Sequence, residues 1–250
     1  MLLEVCANSV TSAIAAEKGG AKRVELCAGI YEGGTTPSYG DLKTARDHLT
    51  IDIHAIIRPR GGDFLYSSLE IDIMKHDIIT CRQLGIDGVV FGLLHPDGSV
   101  DKVLNKELIE LAYPMKTAFH RAFDMTNNAF ESLEDIIDLG FDIILTSGMH
   151  NKAIDGVNLI KDLILKANNR IIIMPGSGIT EDNIKEIAQK TGAKNFHVSL
   201  RKIVDGSMEF RKENISMGSV VDLSEYETKI TDELRVKKIV NILSEFERGF

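Results

Sequence analysis

LLEVC at Leu2–Cys6 and RVELC at Arg23–Cys27 are the two stretches from which the fold of this sequence can be worked out. In each, two aliphatic residues flank a Glu, the alternation expected for a β-strand. Between them, Ser9–Lys18 carries apolar residues at three- and four-residue spacing and is followed by Gly19, a pattern typical of a helix and its end. Strand, helix and strand in this order predict a βα unit whose two strands lie parallel.

The same unit recurs about every 30 residues along the chain. Strands are predicted at Leu2–Cys6, Arg23–Cys27, Ile51–Arg58, Gly88–Gly92, Lys116–His120, Ile143–Ser147, Ile171–Pro175 and Phe196–Leu200. Amphipathic stretches between them predict helices at Ser9–Lys18, Leu69–Leu84, Phe130–Leu139, Ala153–Ala167 and Glu181–Lys190. This alternation fits an open doubly wound sheet or a closed barrel, but eight units without a glycine-rich dinucleotide turn favour closure. We therefore predict the α/β class and a single (β/α)8 TIM-type barrel.

The last 50 residues depart from this pattern. Residues 201–221 contain Gly and Met without a clear period, whereas Tyr226–Phe246 predicts a terminal helix. We expect a barrel at residues 1–200 and a C-terminal extension at residues 201–250, packed on the barrel as part of the same domain. Such an extension covers one face of the barrel or joins subunits.

Composition narrows the classes of function. The formal net charge of −8 over 250 residues argues against nucleic acid as a partner, because phosphate contacts need a clustered basic surface. No run approaches the roughly 20 apolar residues of a membrane span, and no signal peptide is visible, so we expect no membrane partner and a cytoplasmic location. Three cysteines are too few for a disulfide framework and are expected to be thiols.

The two opening strands end in the same pattern of hydrophobic residue, Glu, hydrophobic residue and Cys. Strand alternation puts Glu4 with Cys6 on one face, and Glu25 with Cys27 on one face. Since neighbouring strands lie roughly 4.8 Å apart, the two sulfur atoms are expected to lie close together. Two thiolates can hold Cu(I), a soft ion, so Cys6 and Cys27 are candidate metal ligands, although a buried pair of small hydrophobic residues gives the same pattern. Cys81, within a predicted helix, is expected to pack in the core.

Polar residues cluster where the predicted strands end, and this is where TIM-type barrels place their catalytic groups. Candidates for proton transfer are Glu25, His120, Asp124 and His197. Candidates for binding a substrate anion are Arg58, Arg60, Asp63, Arg121, Ser147, Gly176, Ser177, Gly178 and Ser199. Two alternatives stay open: the charged groups can form buried ion pairs of purely structural value, and Gly176–Gly178 can be a tight loop without a ligand. No lysine lies at the C-terminal end of a strand, which disfavours a Schiff-base aldolase.

Longer blocks of the sequence resemble the CutC family, which is linked by name to copper homeostasis. They are Leu3–Cys6, Arg23–Cys27, Gly33–Ser38, Ile57–Tyr66, Phe119–Asp124, Leu145–Gly148 and Met174–Ile179, and the resemblance runs from Leu2 to about Met217. The blocks Ile57–Phe64 and Phe119–Asp124 are long enough to be highly specific. The one departure is Ser177, where relatives commonly have Gly, and this change could narrow an anion site.

The resemblance implies a TIM-type barrel, usually a homo-oligomer such as a dimer or tetramer, that binds Cu(I) through cysteines matching Cys6 and Cys27. The leading hypothesis is thus a cytosolic copper homeostasis protein, with Cu(I) as its ion and no organic cofactor. The alternative is an enzyme that acts on a small anionic metabolite, a phosphate or a carboxylate, through the polar residues at the strand ends.

Overall fold

The computed structural model describes residues 1–212, 214, 215, 217 and 224–248, and its central feature is a parallel barrel. The eight barrel strands are β1 (Leu2–Ala7), β2 (Arg23–Leu26), β3 (Asp52–Ile56), β4 (Gly88–Phe91), β5 (Lys116–Phe119), β6 (Ile143–Thr146), β7 (Ile172–Pro175) and β8 (Asn195–Val198). They pair in the order β7-β6-β5-β4-β3-β2-β1-β8. A single bridge between Gly176 and His197 joins the two ends of this order and closes the ring.

A helix follows each of the first seven strands and packs outside the ring. The helices are α1 (Val10–Lys18), α2 (Tyr39–His48), α3 (Ser68–Gln83), α4 (Lys102–Ala112), α5 (Ala129–Leu139), α6 (Val157–Ala167), α7 (Ile184–Thr191) and α8 (Glu233–Arg248). Helix α8 contacts both α1 and α7, the position that the eighth helix of such a ring occupies. Among the described residues, no helix is both long enough and apolar enough to cross a bilayer.

The predicted (β/α)8 barrel is confirmed, and each strand begins and ends within two residues of its predicted bounds. The predicted helix at Tyr226–Phe246 is wrong in its first part. There the chain forms β10 (Glu227–Thr231), which pairs antiparallel with β9 (Arg201–Asp205), and α8 begins only at Glu233. Residues 213, 216, 218–223 and 249–250 of the predicted extension lie outside the described residues.

The β9–β10 hairpin lies beside the carboxyl end of β1. The side-chain amide of Asn8, just after β1, donates a 3.0 Å hydrogen bond to the Lys229 carbonyl, and the Thr231 N–H donates to Ser12 Oγ at 3.2 Å. Because β9 follows β8 almost directly, the hairpin lies next to the ends of β8 and β1. It can therefore contribute side chains to a site at this end of the barrel.

Apolar packing fills the space between the strands and the helices, and a second, smaller apolar layer lies within the ring. That inner layer consists of Val90, Ala118, Ile143, Leu145 and Met174. The strands β1, β2, β3 and β8 instead direct charged and polar side chains inward. Groups of this kind are costly to bury unless they are paired. Their pairing therefore determines which of them remain available to bind a ligand in this half of the barrel.

Candidate functional site

Two thiols meet inside the barrel at the ends of the first two strands. Cys6 belongs to β1 and Cys27 follows β2 directly, and their Sγ atoms are 3.7 Å apart. Both residues are buried and neither forms a disulfide. Cys6 lies beside Glu25 in the parallel register of β1 and β2, so the neighbouring strand places a carboxyl group at the same level.

Glu25 and His197 complete the cluster around Cys6. One ligand atom from each of the three residues lies within 4.8 Å of the other two. Burial raises the pKa of Glu25 to about 8, with the neighbouring Cys6 and Glu4 acting in the same direction, although His197 opposes the shift. Glu25 is thus mostly protonated near neutral pH. Its Oε2 atom is buried and has no hydrogen-bond partner among the described residues.

Glu4 lies behind His197 and fixes its orientation. The Glu4 carboxylate accepts a 2.6 Å hydrogen bond from His197 Nδ1 and a second hydrogen bond from Arg23 Nε. Burial opposes the charge on Glu4, but the Arg23 guanidinium and the two neighbouring histidines, His197 and His54, hold the pKa of Glu4 well below its usual range. With Nδ1 engaged, the other ring nitrogen of His197 is left for the cluster.

The charge state of the thiols follows from the same neighbours. The hydrogen bond with Cys27 and burial raise the pKa of Cys6, so without a ligand it is a neutral thiol. Arg201 Nη2 lies 3.5 Å from Cys6 Sγ and can neutralise negative charge that develops there. Burial lowers the pKa of His197, but Glu25, Cys6 and Glu4 outweigh burial and raise it well above its usual value.

Two adjoining cavities open from this cluster. The first, here called the mouth cavity, has a volume of about 770 Å³ and is lined by Cys6, Glu25, Gly33, Ile56, Arg58, Gly62, Asp63, Phe64, Leu65, Leu94, His95, Pro96, Gly98, His120, Arg121, Asp124, Met125, Leu145 and His197. The second, here called the hairpin cavity, has a volume of about 700 Å³ and is lined by Cys6, Ile30, Arg121, Ser177, Gly178, Ile179, Thr180, His197, Val198, Ser199, Leu200, Arg201, Lys202, Ile203, Lys229 and Arg235. Cys6, Arg121 and His197 belong to both. Each volume is within the usual range for a small-molecule site.

His120 lies in the wall of the mouth cavity as a neutral imidazole. Its Nδ1 accepts a 3.2 Å hydrogen bond from the Ala122 N–H, so the ring proton is on Nε2. Burial, together with the nearby Arg58 guanidinium, lowers the pKa of His120 to about 3. The Phe64 ring packs against it with a centroid distance of 4.8 Å. His120 is therefore suited to donate a hydrogen bond to a ligand rather than to gain a proton.

Asp124 anchors the loop that follows β6. Its carboxylate accepts hydrogen bonds from the Ser147 and Met149 N–H groups, at 3.0 and 3.1 Å, and from the hydroxyls of Thr146 and Ser147. Arg121 Nε also donates to it, at 2.8 Å. The hydroxyl of Ser147 also lies within hydrogen-bond distance of the loop carbonyl of His150, and its single proton serves one of these two acceptors at a time. These contacts hold the loop after β6 in place.

Arg58 and Arg60 are held by the protein itself. Arg58 donates to the carbonyls of Glu32, Gly34 and Gly62 and lies over the Phe64 ring, although it still forms part of the mouth cavity wall. Arg60 pairs with Glu70 and Asp63 and is not among the residues lining either cavity. This placement leaves Arg121 as the candidate arginine that faces both cavities.

The predicted anion residues at the ends of β7 and β8 lie on the hairpin cavity. Ser177, Gly178 and Ser199 line it, whereas Gly176 is not among its lining residues and bridges to His197. The Ser177 hydroxyl donates to the Asn151 carbonyl at 2.7 Å. The residues predicted from the sequence thus divide into two groups, one around the thiols and one along the β7 and β8 loops.

Several charged or titratable residues of the site were not among the sequence candidates; they include Arg23, His54, Arg201, Lys202, Lys229 and Arg235. Arg23 begins β2 and His54 lies in the middle of β3, whereas the sequence candidates were sought at the C-terminal ends of the strands. Burial lowers the pKa of His54 to about 4, so it is neutral behind Glu4. Arg201 directly follows the predicted end of β8, and the rule that sites form at strand ends could have identified it.

A model of the CutC family matches residues 1–202, which include the whole barrel sheet together with Cys6 and Cys27. The chain belongs to the CutC family. A CutC family protein from Parabacteroides distasonis is 53% identical over 240 residues, which cover 96% of this chain and 99% of that protein. The human relative, named copper homeostasis protein cutC homolog, is 47% identical over 238 residues, covering 95% of this chain and 87% of its own length.

Solved structures agree with this membership. The crystal structure of CutC from Streptococcus agalactiae superposes with a TM-score of 0.76 at 38% identity, covering 80% of this chain and 98% of that one. Thiamine phosphate pyrophosphorylase from Pyrococcus furiosus has a TM-score of 0.61 at only 16% identity, so its likeness concerns the fold alone. The relation to CutC therefore rests on sequence as well as on the barrel architecture.

Proposed function

We propose that this member of the CutC copper homeostasis family binds Cu(I) through Cys6 and Cys27. The observation that carries the proposal is the 3.7 Å separation of the two Sγ atoms inside the barrel. Metal–thiolate bonds of about 2.3 Å, the length typical of zinc sites, allow two sulfur atoms bound to one ion to be as far apart as about 4.6 Å. The existing separation therefore lets both sulfur atoms bind one ion without movement of the strands.

The chemistry of the donors favours a soft monovalent ion. Thiolates prefer Cu(I), and imidazole also suits copper, so His197 is a fitting third ligand. Glu4 holds the Nδ1 side of this ring, which is the carboxylate–histidine arrangement that commonly orients metal ligands. Since Cys6 is a thiol and the pKa of His197 is raised, an ion must displace protons from the cluster when it binds.

The charges nearby balance such an ion. One Cu(I) bound by two thiolates carries a net charge of −1. Arg23 and Glu4 form an ion pair and cancel, and Glu25 is mostly neutral. Arg201, which already donates to Cys6 Sγ, supplies the remaining positive charge. In a buried site an uncompensated charge is expensive, so this balance supports a bis-thiolate Cu(I) centre.

A competition titration against a Cu(I) chelator under reducing conditions tests the proposal. We expect one Cu(I) per chain in the wild type, and a loss of affinity of about 100-fold or more in Cys6→Ser and in Cys27→Ser, because each removes a thiolate ligand. Cys81→Ser is the matched control, since Cys81 is also buried but lies in α3. Equal affinity in all four proteins would overturn the proposal.

The other expectations from the sequence stay predictions: a cytosolic location, a homo-oligomer, and an enzymatic role on a small anionic substrate for Glu25, His120, Asp124 and His197.

A further inference from the structure

The hairpin cavity is strongly basic, in contrast to the chain as a whole. Its lining includes no acidic residue and five arginine and lysine residues: Arg121, Arg201, Lys202, Lys229 and Arg235. The chain carries a formal net charge of −8, so basic residues gathered around one cavity do not reflect the average composition. Charges of one sign that line a cleft concentrate ligands of the opposite sign there.

Two of these cations have no carboxylate partner among the described residues. Arg201 contacts Cys6 Sγ through Nη2, while its buried Nε lacks any hydrogen-bond partner in the described chain. The Lys229 ammonium lies 5.4 Å from the centroid of the exposed Tyr31 ring. The other three basic residues pair with carboxylates that do not line the cavity, namely Asp124, Asp232 and Glu181. The cavity therefore contains two positive charges, those of Arg201 and Lys229, that no carboxylate of the described residues neutralises.

The loop after β7 adds backbone donors to the same space. Ser177 and Gly178 both have positive φ angles, of 78° and 67°. The backbone hydrogen bonds of the described chain leave the N–H groups of Gly178 and Ile179 without an acceptor. Successive N–H groups in such a conformation form an anion-binding concavity. A Cβ at Gly178 would lie 2.8 Å from Lys152 Cγ, so glycine keeps this turn compact.

We propose that the hairpin cavity binds the phosphate group of a phosphorylated small molecule, whose organic part lies in the mouth cavity. The Arg201 guanidinium, the Lys229 ammonium and the loop N–H groups belong to three separate elements that line the cavity, namely β9, β10 and the loop after β7. Donors from three elements suit the three terminal oxygens of a phosphate better than a planar carboxylate. The cavities meet at Cys6, Arg121 and His197. The mouth cavity offers apolar contacts from Ile56, Phe64, Leu94 and Leu145. This inference goes beyond Cu(I) binding and requires no thiolate.

Calorimetric titration with phenyl phosphate, at fixed ionic strength and in copper-free buffer, tests this site. We expect saturable binding to the wild type and little binding of phenol, which lacks the anion. Lys229→Gln and Arg201→Gln should each weaken binding by about 10-fold or more, because each removes a charge-assisted hydrogen bond. Lys229→Arg should retain most of the affinity, which separates loss of charge from loss of the hairpin fold.

Lys237→Gln is the matched control, because Lys237 is an exposed residue of α8 that lines neither cavity. We expect it to bind phenyl phosphate as the wild type does. Cys27→Ser, which removes a proposed copper ligand that lines neither cavity, should also retain binding, and this distinguishes the phosphate site from the copper site. Two outcomes would overturn the proposal: no binding to the wild type at millimolar concentration, or equal weakening by Lys237→Gln and Lys229→Gln.

Discussion

Glu4→Gln is expected to lower the free energy of unfolding by about 3–5 kcal/mol, the cost of breaking a buried ion pair by removing one partner. Glu4 is 1% exposed, and its carboxylate is the acceptor for both Arg23 and His197. Glutamine has nearly the same shape but carries no charge, so the buried Arg23 guanidinium would remain unpaired. Urea denaturation of the wild type and of Glu4→Gln, both in buffer with excess reductant, measures the difference in the free energy of unfolding.

Glu25→Gln is the matched control for this prediction. Glu25 is buried on the neighbouring strand, but its pKa of about 8 means that it is already protonated at pH 6. At that pH we expect Glu25→Gln to change stability by less than about 1 kcal/mol, since neither form carries a charge. Similar losses in both variants would show that steric fit, and not charge, determines the stability of this half of the barrel.

Acid should reproduce the effect of Glu4→Gln in the wild-type protein. The pKa of Glu4 is lowered in the folded state, so its stabilising contribution is complete above the ordinary carboxyl range and is lost as the pH falls below that range. In Glu4→Gln this component is absent. The difference in unfolding free energy between the two proteins should therefore shrink as the pH is lowered from 6 toward 3.

Asp124→Ala is expected to cost about 3–5 kcal/mol, because it leaves several partly buried donors without an acceptor. The donors are the N–H groups of Ser147 and Met149, the Thr146 hydroxyl and Arg121 Nε. Asp124→Asn keeps one acceptor oxygen and the shape of the side chain, so about half of this loss is expected. Thermal and urea unfolding of the two variants measure both effects.

A purely catalytic Asp124 predicts a different result. Its removal would then leave stability within about 1 kcal/mol of the wild type, and the loop after β6 would keep its protection from amide hydrogen exchange. We expect instead that the Ser147 and Met149 amides exchange faster in Asp124→Ala. Faster exchange confined to this loop would support a positioning role for the carboxylate.

The sequence was sufficient to predict the barrel and the approach of the Cys6 and Cys27 sulfur atoms. These features depend on local patterns: a repeated strand and helix, alternation along a strand, and the even register of parallel neighbours. The repeated pattern on β1 and β2 thereby determines which side chains share a level inside the ring. No contact between distant parts of the chain is needed for that step.

Features that depend on distant contacts were missed. Arg23 shares a level with Glu4 in the register of β1 and β2, but its approach to Met174 of β7 becomes visible only once the ring is closed. Glu227–Thr231 mixes charged and β-branched residues, and its strand conformation depends on pairing with Arg201–Asp205, a tertiary effect that outweighs local propensity. The position of Lys229 on the hairpin cavity could not be predicted from the sequence, because it depends on the pairing of β10 with β9.

Copper K-edge X-ray absorption of the Cu(I)-loaded protein identifies the atoms bound to the metal and so tests whether both thiolates bind the ion. We expect two sulfur scatterers and one imidazole nitrogen in the wild type, and one sulfur fewer in Cys27→Ser. A copper shell composed only of nitrogen and oxygen, or a sulfur shell unchanged in Cys27→Ser, would contradict this expectation.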